Sequence, residues 1–373
     1  MKAVILAGEE DAHPGPLTLN RPRSLVPLFD RPALEHLLRQ LRRLGITQAL
    51  ILLRRMARPV MDRFGDGSGL GMALAYGPAG PRCAAGQVRD WAGGGDEDIL
   101  VVRGDGLFGL DLSAVVGFHK TSRSAATLAL SACPPPSGWI AAATGEDGRV
   151  IGFPRRPARG HGAVGACILT PHALALAPEA PGPDLLRDLL PFLLERGEPL
   201  YGFPAEGRWH SLDCGADLLS ASADALAGRT ALEPPAPRVA PGAWSASPIP
   251  PGTAVVPPVY IGPEVSIGPG ALLGPNLCLG RGSRVGRRAL VQNSILLGAR
   301  AGDRATLYGA VLCPGARAGA DSVLNDGVIL GEGAAVGRGG VLMEGVRLWP
   351  GIRTSPGVRL TCSPMPPSSS ISV

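Results

Sequence analysis

Short runs of apolar residues, separated by polar and glycine-containing segments, dominate the first part of the chain. Residues 4–6, 49–53 and 99–102 are three such runs, and the first of them ends at Ala7 and Gly8. Runs of this length, bounded by turn residues, are typical of strands that are buried on both faces of a parallel sheet. The pattern therefore predicts a sheet whose strands are covered by helices.

Helical periodicity fills the spaces between these runs. Five leucines recur at helical spacing between Pro32 and Gly45, which favour the start and the stop of a helix: Leu34, Leu37, Leu38, Leu41 and Leu44. A second amphipathic helix is predicted over 185–194. Strand, helix and strand in this order give a right-handed crossover. We predict an α/β, doubly wound (Rossmann-like) domain with a ligand crevice at the carboxyl ends of its strands.

A six-residue period marks the last third of the chain. Each glycine of one series follows an aliphatic residue: Gly262, Gly268, Gly274, Gly280 and Gly286. One aliphatic and one small residue per six is the signature of a parallel β-helix of hexapeptide repeats. The phase continues to Val291 and Leu297, slips after about Asp303, and returns at Leu330.

These patterns divide the chain into four segments. We predict an α/β domain over 1–227 and a β-helix over 253–360. Residues 228–252 between them are rich in proline and alanine, a composition typical of a semi-rigid linker. Residues 361–373 contain prolines and consecutive serines and are predicted to be a disordered tail.

Charge and cysteine usage narrow the function. The 373 residues carry a net charge of only +5 and few aromatic side chains, which argues against a nucleic-acid partner. The sequence contains no run of about 18 apolar residues, so we expect no membrane span. The first apolar run is also too short for a signal peptide, so we expect a cytoplasmic protein. Seven cysteines lack the C-x-x-C spacing of zinc sites, which favours reduced, mostly buried thiols.

The loop after the first strand has the features of a phosphate cradle. Glycines in the segment 8–16 let backbone N–H groups approach an anion, and Arg21 and Arg23 follow closely. The acidic residues Glu9, Glu10 and Asp11 oppose this role, since a triphosphate needs positive potential. The spacing of these glycines and arginines is therefore only weak evidence for a phosphate-binding loop.

Asp105 follows the predicted strand at 99–102, within the segment Arg103-Gly104-Asp105. A carboxylate at this edge of a parallel sheet is placed to hold Mg²⁺ against the phosphates of a nucleotide. The alternative is an aspartate that only caps the turn.

Several motifs resemble the sugar-1-phosphate nucleotidyltransferases, which include mannose-1-phosphate guanylyltransferases. The segments are KAVILAG at 2–8, PLT at 16–18, RPR at 21–23 and LVP at 25–27. The family reads L-A-G-G-x-G-T-R-L-x-P-L-T and then P-K-P-L. This chain departs from that pattern at Glu9, Asp11, Ala12, His13 and Arg23. The frame of the phosphate loop is kept, while most of its chemistry is replaced.

The resemblance also implies the fold and the site. It implies a left-handed β-helix, Mg²⁺ at Asp105 if the phosphate site is still used, and substrate contacts at Ala7, Gly8, Arg23, Gly86, Gly104, Asp105 and Arg156. His13 and Arg23 occupy degenerate catalytic positions, although a plain surface histidine is the preferred interpretation of His13. Arg155 and Arg156 replace a sugar-binding glutamate and a phosphate-binding lysine. Ser211 replaces a second metal-binding aspartate, for which Asp213 is a possible substitute.

Three functions follow as alternatives. The preferred one is a catalytically impaired paralogue that binds a nucleotide or nucleotide sugar, or that regulates an active pyrophosphorylase as its partner. The second is an active enzyme that makes a nucleotide sugar and pyrophosphate. The third, an acyltransferase, is disfavoured because residues 251–360 contain no histidine for a general base. We also expect the β-helix to support homo-oligomers.

Overall fold

The computed structural model describes residues 1–7, 15–79, 84–131, 140–154, 162–177, 185–212 and 214–364. The chain forms two compact units. The first contains Met1–Asp11 and Ala33–Ser211, and the second contains Ala12–Pro32 and Leu212–Val373. The boundaries drawn from composition remain a prediction. They differ from this division in two places, because residues 12–32 and the residues from Leu212 to 227 group with the C-terminal part of the chain.

The elements up to residue 226 are a mixture of strands and helices. The strands are Lys2–Ala7 (β1), Pro27–Leu28 (β2), Arg31–Pro32 (β3), Gln48–Leu53 (β4), Ala73–Pro78 (β5), Ile99–Arg103 (β6), Gly106–Leu110 (β7), Ala126–Ser131 (β8), Ala141–Thr144 (β9), Val150–Gly152 (β10), Gly162–Leu169 (β11), Leu200–Pro204 (β12) and Gly207–Ser211 (β13). The α-helices are Ala33–Arg43 (α1), Ala57–Phe64 (α2), Ala84–Ala92 (α3), Ser113–Ser122 (α4), Pro171–Ala175 (α5), Leu185–Glu195 (α6) and Gly215–Leu226 (α7). Short 3₁₀ turns cover Arg23–Leu25 and Ser68–Leu70.

The first unit is built on a sheet in which β6, β1, β4 and β5 lie side by side and parallel. The sheet continues through β11, which is antiparallel to β6 and also pairs with β8 and β9. A separate antiparallel pair joins β7 to β13. The α/β architecture expected from the apolar runs is confirmed.

Hydrophobic periodicity located the central elements within one residue at most ends. α1 begins directly after Pro32, and Gly45 follows its end with a φ of 82°, a left-handed conformation that glycine adopts at little cost. The apolar face of α6 packs into the core of this unit through Leu186, Leu189 and Leu193. Burial of these faces holds the strand ends, and hence the crevice, in place.

The second unit is a parallel β-helix with three faces. The first face contains Arg238–Ala240 (β14), Ala243–Ser245 (β15), Val259–Ile261 (β17), Leu277–Leu279 (β20), Ile295–Leu296 (β23), Val311–Leu312 (β26), Ile329–Leu330 (β29) and Arg347–Leu348 (β32). The second contains Ala254–Val255 (β16), Leu272–Leu273 (β19), Leu290–Gln292 (β22), Thr306–Tyr308 (β25), Val323–Leu324 (β28), Val341–Leu342 (β31) and Arg359–Leu360 (β33). The third contains Ser266–Ile267 (β18), Arg284–Val285 (β21), Arg300–Ala301 (β24), Arg317–Ala318 (β27) and Ala335–Val336 (β30).

The interior of the β-helix is filled by the aliphatic residues that the period picked out. Ile261, Leu279 and Leu296 stack in register on the first face and are fully buried. The step from Val291 to Leu296 is five residues rather than six, so the phase slips at Leu296. This is earlier than the slip predicted near Asp303, and Leu297 is not the stacking residue. The coil also begins earlier than predicted, because β15 pairs in parallel with β17 and lies within the segment assigned to a linker.

Residues 15–32 are part of this unit. They carry the 3₁₀ turn and the short antiparallel pair of β2 and β3. Phe29 is fully buried, and its ring lies 5.0 Å from the ring of Tyr260. Helix α7 also packs on the first face, where a Cβ atom at Gly215 would lie 2.9 Å from Ile329 Cδ1.

Two expectations from composition concern thiols and membranes. Cys167, Cys278 and Cys313 are buried free thiols, and no disulfide occurs among the described residues. Cys83 and Cys133 lie outside them. None of the helices that the structure describes has the length and apolar character to cross a membrane.

Candidate functional site

The candidate site is built at the edge of the sheet where β1 and β6 end side by side. Leu6 and Arg103 are register partners in these parallel strands, and the backbone N–H of Gly104 donates to the carbonyl of Leu6 over 2.8 Å. A Cβ atom at Gly104 would lie 2.4 Å from Ile5 Cγ2, so only glycine fits this passage. Ala7 and Gly104 thus lie together at the predicted crevice.

Asp105 follows between β6 and β7 and is 5% exposed. On the antiparallel pair of β7 and β13, Gly106 is the register partner of Ser211. Gly106 is needed here because a Cβ atom would lie 2.3 Å from the indole ring of Trp209. The structure therefore brings Ser211, the predicted position of a lost second acid, next to the backbone of Asp105. His210 also lies in β13.

The carboxylate of Asp105 is engaged by Arg103. The Arg103 guanidinium donates from one terminal nitrogen to Asp105 Oδ2 over 2.9 Å and from Nε to Oδ1 over 3.4 Å. The side chains are 16% and 6% exposed, which makes this a largely buried pair. A planar guanidinium holding both oxygens of one carboxylate is a strong, oriented interaction. Our sequence reasoning missed it.

The described residues do not fit a divalent metal at this place. Mg²⁺ is held by carboxylate and other oxygen ligands in near-octahedral geometry. Both oxygens of Asp105 already accept from Arg103, and the neighbouring position carries the hydroxyl of Ser211. Within the described ranges, no group of three or more His, Cys, Asp and Glu residues could hold a metal ion. Asp213 lies outside those ranges. The assignment of Asp105 as a metal ligand stays a prediction. The ion pair of Asp105 with Arg103 argues against it.

The other predicted site residues are not all brought together. Gly86 lies in α3, where a Cβ atom would meet nothing within 4 Å, so the backbone gives no reason for a glycine. Arg23 opens the 3₁₀ turn in the second unit. Gly8, His13 and Arg156, together with Arg155, lie outside the described residues. Their roles remain predictions.

A buried polar cluster around His119 joins α4 to β8. His119 Nδ1 lies 2.8 Å from Thr127 Oγ1, and Ser124 Oγ lies 2.6 Å from the same hydroxyl. Asp98 Oδ2 lies 3.6 Å from His119 Nε2 on the other side of the ring. The order of hydroxyl, imidazole and carboxylate resembles a catalytic triad, but His119, Ser124 and Thr127 are buried and tie one helix to one strand. We interpret the cluster as structural.

Comparison with protein families agrees with this geometry. The Nucleotidyl transferase model matches residues 2–227, which is more than half of the chain. The chain belongs to the nucleotidyl transferase family. A second model, the GMPPB C-terminal domain, matches residues 255–351, where the structure has its β-helix.

Individual relatives of this chain carry the names of sugar-1-phosphate enzymes. A UTP--glucose-1-phosphate uridylyltransferase from Synechocystis sp. is 28% identical over 56% of this chain and 59% of the relative. A mannose-1-phosphate guanylyltransferase from Mycobacterium tuberculosis is 29% identical over 61% of this chain and 65% of the relative. The chain thus spans less than two thirds of the length of these relatives.

A solved structure supports the fold. A Bacillus anthracis protein described as a glucose-1-phosphate thymidylyltransferase has a TM-score of 0.51 and 23% identity, and the match covers 60% of this chain and 94% of that one. At this identity the likeness concerns the fold of the nucleotidyl transferase domain.

Proposed function

We propose that this chain is a catalytically impaired member of its family that binds a nucleotide sugar or regulates an active pyrophosphorylase paralogue. The observation that carries the proposal is the ion pair of Arg103 with Asp105, next to Ser211 in β13. The carboxylate that would hold a metal is neutralised by the chain itself, and its expected acidic neighbour is a hydroxyl.

The size of the expected rate losses favours a protein that has lost catalysis rather than binding. Transfer of a nucleotidyl group depends on positioning and on stabilisation of the charge that develops on the phosphates. Loss of one electrostatic donor typically lowers the rate on the order of a hundredfold to a thousandfold. Substitutions at Glu9, Asp11 and His13 affect the same loop. Such losses do not add, but together they exceed what Arg23 and Arg156 restore.

The names of the relatives favour a second candidate function. They are called uridylyl-, guanylyl- and thymidylyltransferases of sugar 1-phosphates, so an active enzyme that forms a nucleotide sugar and pyrophosphate is the alternative. Self-association through the β-helix and a cytoplasmic location belong to both proposals. Sedimentation that shows only monomer would argue against self-association.

An assay for released pyrophosphate separates the two functions. The purified protein is incubated with Mg²⁺, each of ATP, GTP, UTP and dTTP, and each of glucose 1-phosphate and mannose 1-phosphate. We expect no pyrophosphate above the background of a heat-denatured sample. Robust turnover of any pair would establish the active enzyme and refute the proposed impairment. Titration calorimetry with the corresponding nucleotide sugars then tests binding independently of turnover.

A further inference from the structure

Arg103 places a positive charge at the carboxyl end of β6, at the crevice edge where a phosphorylated ligand is expected. It lies one residue from Gly104, whose backbone fits against the end of β1 without room for a side chain. The Arg103 side chain is only 16% exposed, and its guanidinium donates two hydrogen bonds to Asp105. The strand that carries Arg103 and the carboxylate that it holds both constrain its position.

The charge balance at this edge has a physical consequence. A buried carboxylate without a partner is costly and repels phosphate groups. A bound cation or a fixed guanidinium can neutralise it, and here the guanidinium is present in the chain. A guanidinium is planar, stays charged at any accessible pH, and matches phosphate as well as carboxylate geometry. The cation that the crevice needs is thus supplied without a metal.

We propose that Arg103 is a tethered cation that neutralises Asp105 and orients a phosphate of the ligand, so that this protein binds nucleotide sugars independently of divalent metal. The inference rests on the proposed function for the class of ligand. A purely structural ion pair would stabilise the fold equally well, but its loss would not make ligand binding depend on metal. The response of ligand affinity to metal in Arg103 variants therefore discriminates between the two roles.

The first experiment compares affinities with and without metal. GDP-mannose, UDP-glucose and dTDP-glucose are titrated into the wild-type protein in EDTA and in millimolar MgCl₂. We expect the Kd of any ligand that binds to differ by less than about twofold between the two conditions, because no bound metal is linked to the equilibrium. A Kd that EDTA raises by about tenfold or more would overturn the inference.

Variants at Arg103 test whether its charge is responsible. In EDTA, Arg103→Gln should weaken binding about tenfold or more, because Asp105 is left as an unpaired buried charge beside the ligand. Mg²⁺ should restore part of this loss, since the substitution releases both carboxylate oxygens. Arg103→Lys keeps the charge without the fork and should bind more tightly than Arg103→Gln.

Arg58→Gln is the matched control. Arg58 forms an ion pair of similar length with Asp62, but both side chains are exposed on α2. Its substitution should leave the affinity in EDTA unchanged. Equal affinity of wild-type protein and Arg103→Gln in EDTA would refute the role of Arg103. If Arg103→Gln does not fold, the comparison of Arg103→Lys with wild-type protein in EDTA measures the loss of the guanidinium fork, and equal affinity of these two proteins would refute the orienting role of Arg103.

The metal can also be tested without a ligand, which keeps the inference separate from the proposed function. If none of the three nucleotide sugars binds, the proposed function fails, and thermal shifts with Mn²⁺ decide the remaining question. Equal shifts for wild-type protein and Asp105→Asn would support a crevice closed to metal. A shift in the wild-type protein that Asp105→Asn abolishes would overturn the inference.

Discussion

Gly104 shows how one residue fixes the geometry of the crevice. Its backbone N–H bonds to Leu6, and a methyl group at its α-carbon would overlap the side chain of Ile5, which is fully buried in β1. Gly86 is the contrasting case, since it lies in α3 with open space around its α-carbon. The resemblance gave both glycines the same substrate-binding role, but only Gly104 has a steric reason to be glycine.

We predict opposite effects of alanine at these two positions. Gly104→Ala should lower the free energy of unfolding by about 1–3 kcal/mol, because the core must shift to accept the methyl group. Gly86→Ala should raise it by about 0.5–1 kcal/mol, because alanine is the better helix former. Urea unfolding at neutral pH measures both.

Ligand titration of Gly86→Ala adds a test of the predicted contact. If Gly86 lies against the ligand, affinity should fall although stability rises. Unchanged affinity would remove Gly86 from the site. A destabilised Gly86→Ala protein would contradict the open space found around this residue.

Arg103 shows what could have been predicted at the residue scale. Side chains two residues apart in an extended segment point to the same side, so Arg103 and Asp105 were candidates for an ion pair from the sequence alone. Their burial could not be read in the same way, since it depends on β1 and on the pair of β7 and β13. The position of Asp105 was predicted, but the group that holds it was not.

The segment 15–32 is an element whose fold depends on the β-helix. Asp30 has a φ of 63°, accepts from the hydroxyl of Tyr260 at 2.9 Å, and accepts from the backbone N–H of Arg281 at 2.5 Å. Gly262 and Gly280 leave room for this carboxylate, since a Cβ atom at either would lie within 3 Å of one of its oxygens. Burial, followed by the negative charge of Asp30, raises the pKa of Tyr260.

Substitution of Asp30 should therefore destabilise the second unit. We expect Asp30→Ala to lower the free energy of unfolding by about 1.5–3 kcal/mol, the range for hydrogen bonds to a charged group. Tyr260→Phe should lower it less, and the double variant should show coupling, because the two side chains share one bond.

Asp303→Ala provides the comparison for Asp30→Ala. Asp303 accepts hydrogen bonds from both the backbone N–H and the side chain of Arg287, on an exposed corner of the β-helix. Because exposed ion pairs contribute little, the loss of the Asp303 carboxylate should change the free energy of unfolding little. Chemical unfolding of all four proteins gives the measurement. Equal losses for Asp30→Ala and Asp303→Ala would contradict an anchoring role of Asp30.

Element prediction succeeded where the signal was local. The leucine spacing of α1 and the six-residue period up to Val291 were sufficient to predict these elements, because the spacing of the apolar residues shows directly which side of each element is buried. The placement of residues 15–32 was missed, since it depends on partners such as Tyr260, about 230 positions away. The slip at Leu296 was placed too late because Leu297, one position on, kept the expected period.

Charge is distributed unevenly over the whole molecule. Residues 253–360 contain eleven arginines, no lysine and six acidic residues, an excess of five that equals the net charge of the chain. Arg284, Arg300 and Arg317 are exposed register partners on the third face of the β-helix. They lie 16 and 17 positions apart in sequence, so inspection for a basic block could not find this row.

Buried thiols in both units give the molecule a predicted response to alkaline pH. Burial raises the pKa of Cys313 from 9.0 to about 12, and burial likewise raises the pKa values of Cys167 and Cys278. Between the unfolded and the folded pKa, the unfolded chain has lost a proton that the folded chain keeps. Unfolding therefore becomes more favourable as pH rises above about 9, and these thiols have no such effect at pH 7.

The Cys313→Ala variant tests this response. Each such thiol should remove up to about 1.4 kcal/mol of stability per pH unit above pH 9, so the wild-type curve should fall more steeply than that of the variant. Urea unfolding from pH 7 to pH 10 gives both curves, and Cys362→Ala at an exposed position should retain the wild-type slope. Parallel curves for wild-type protein and Cys313→Ala would show that Cys313 ionises as easily in the folded chain as in the unfolded one, contrary to its burial inside the β-helix unit.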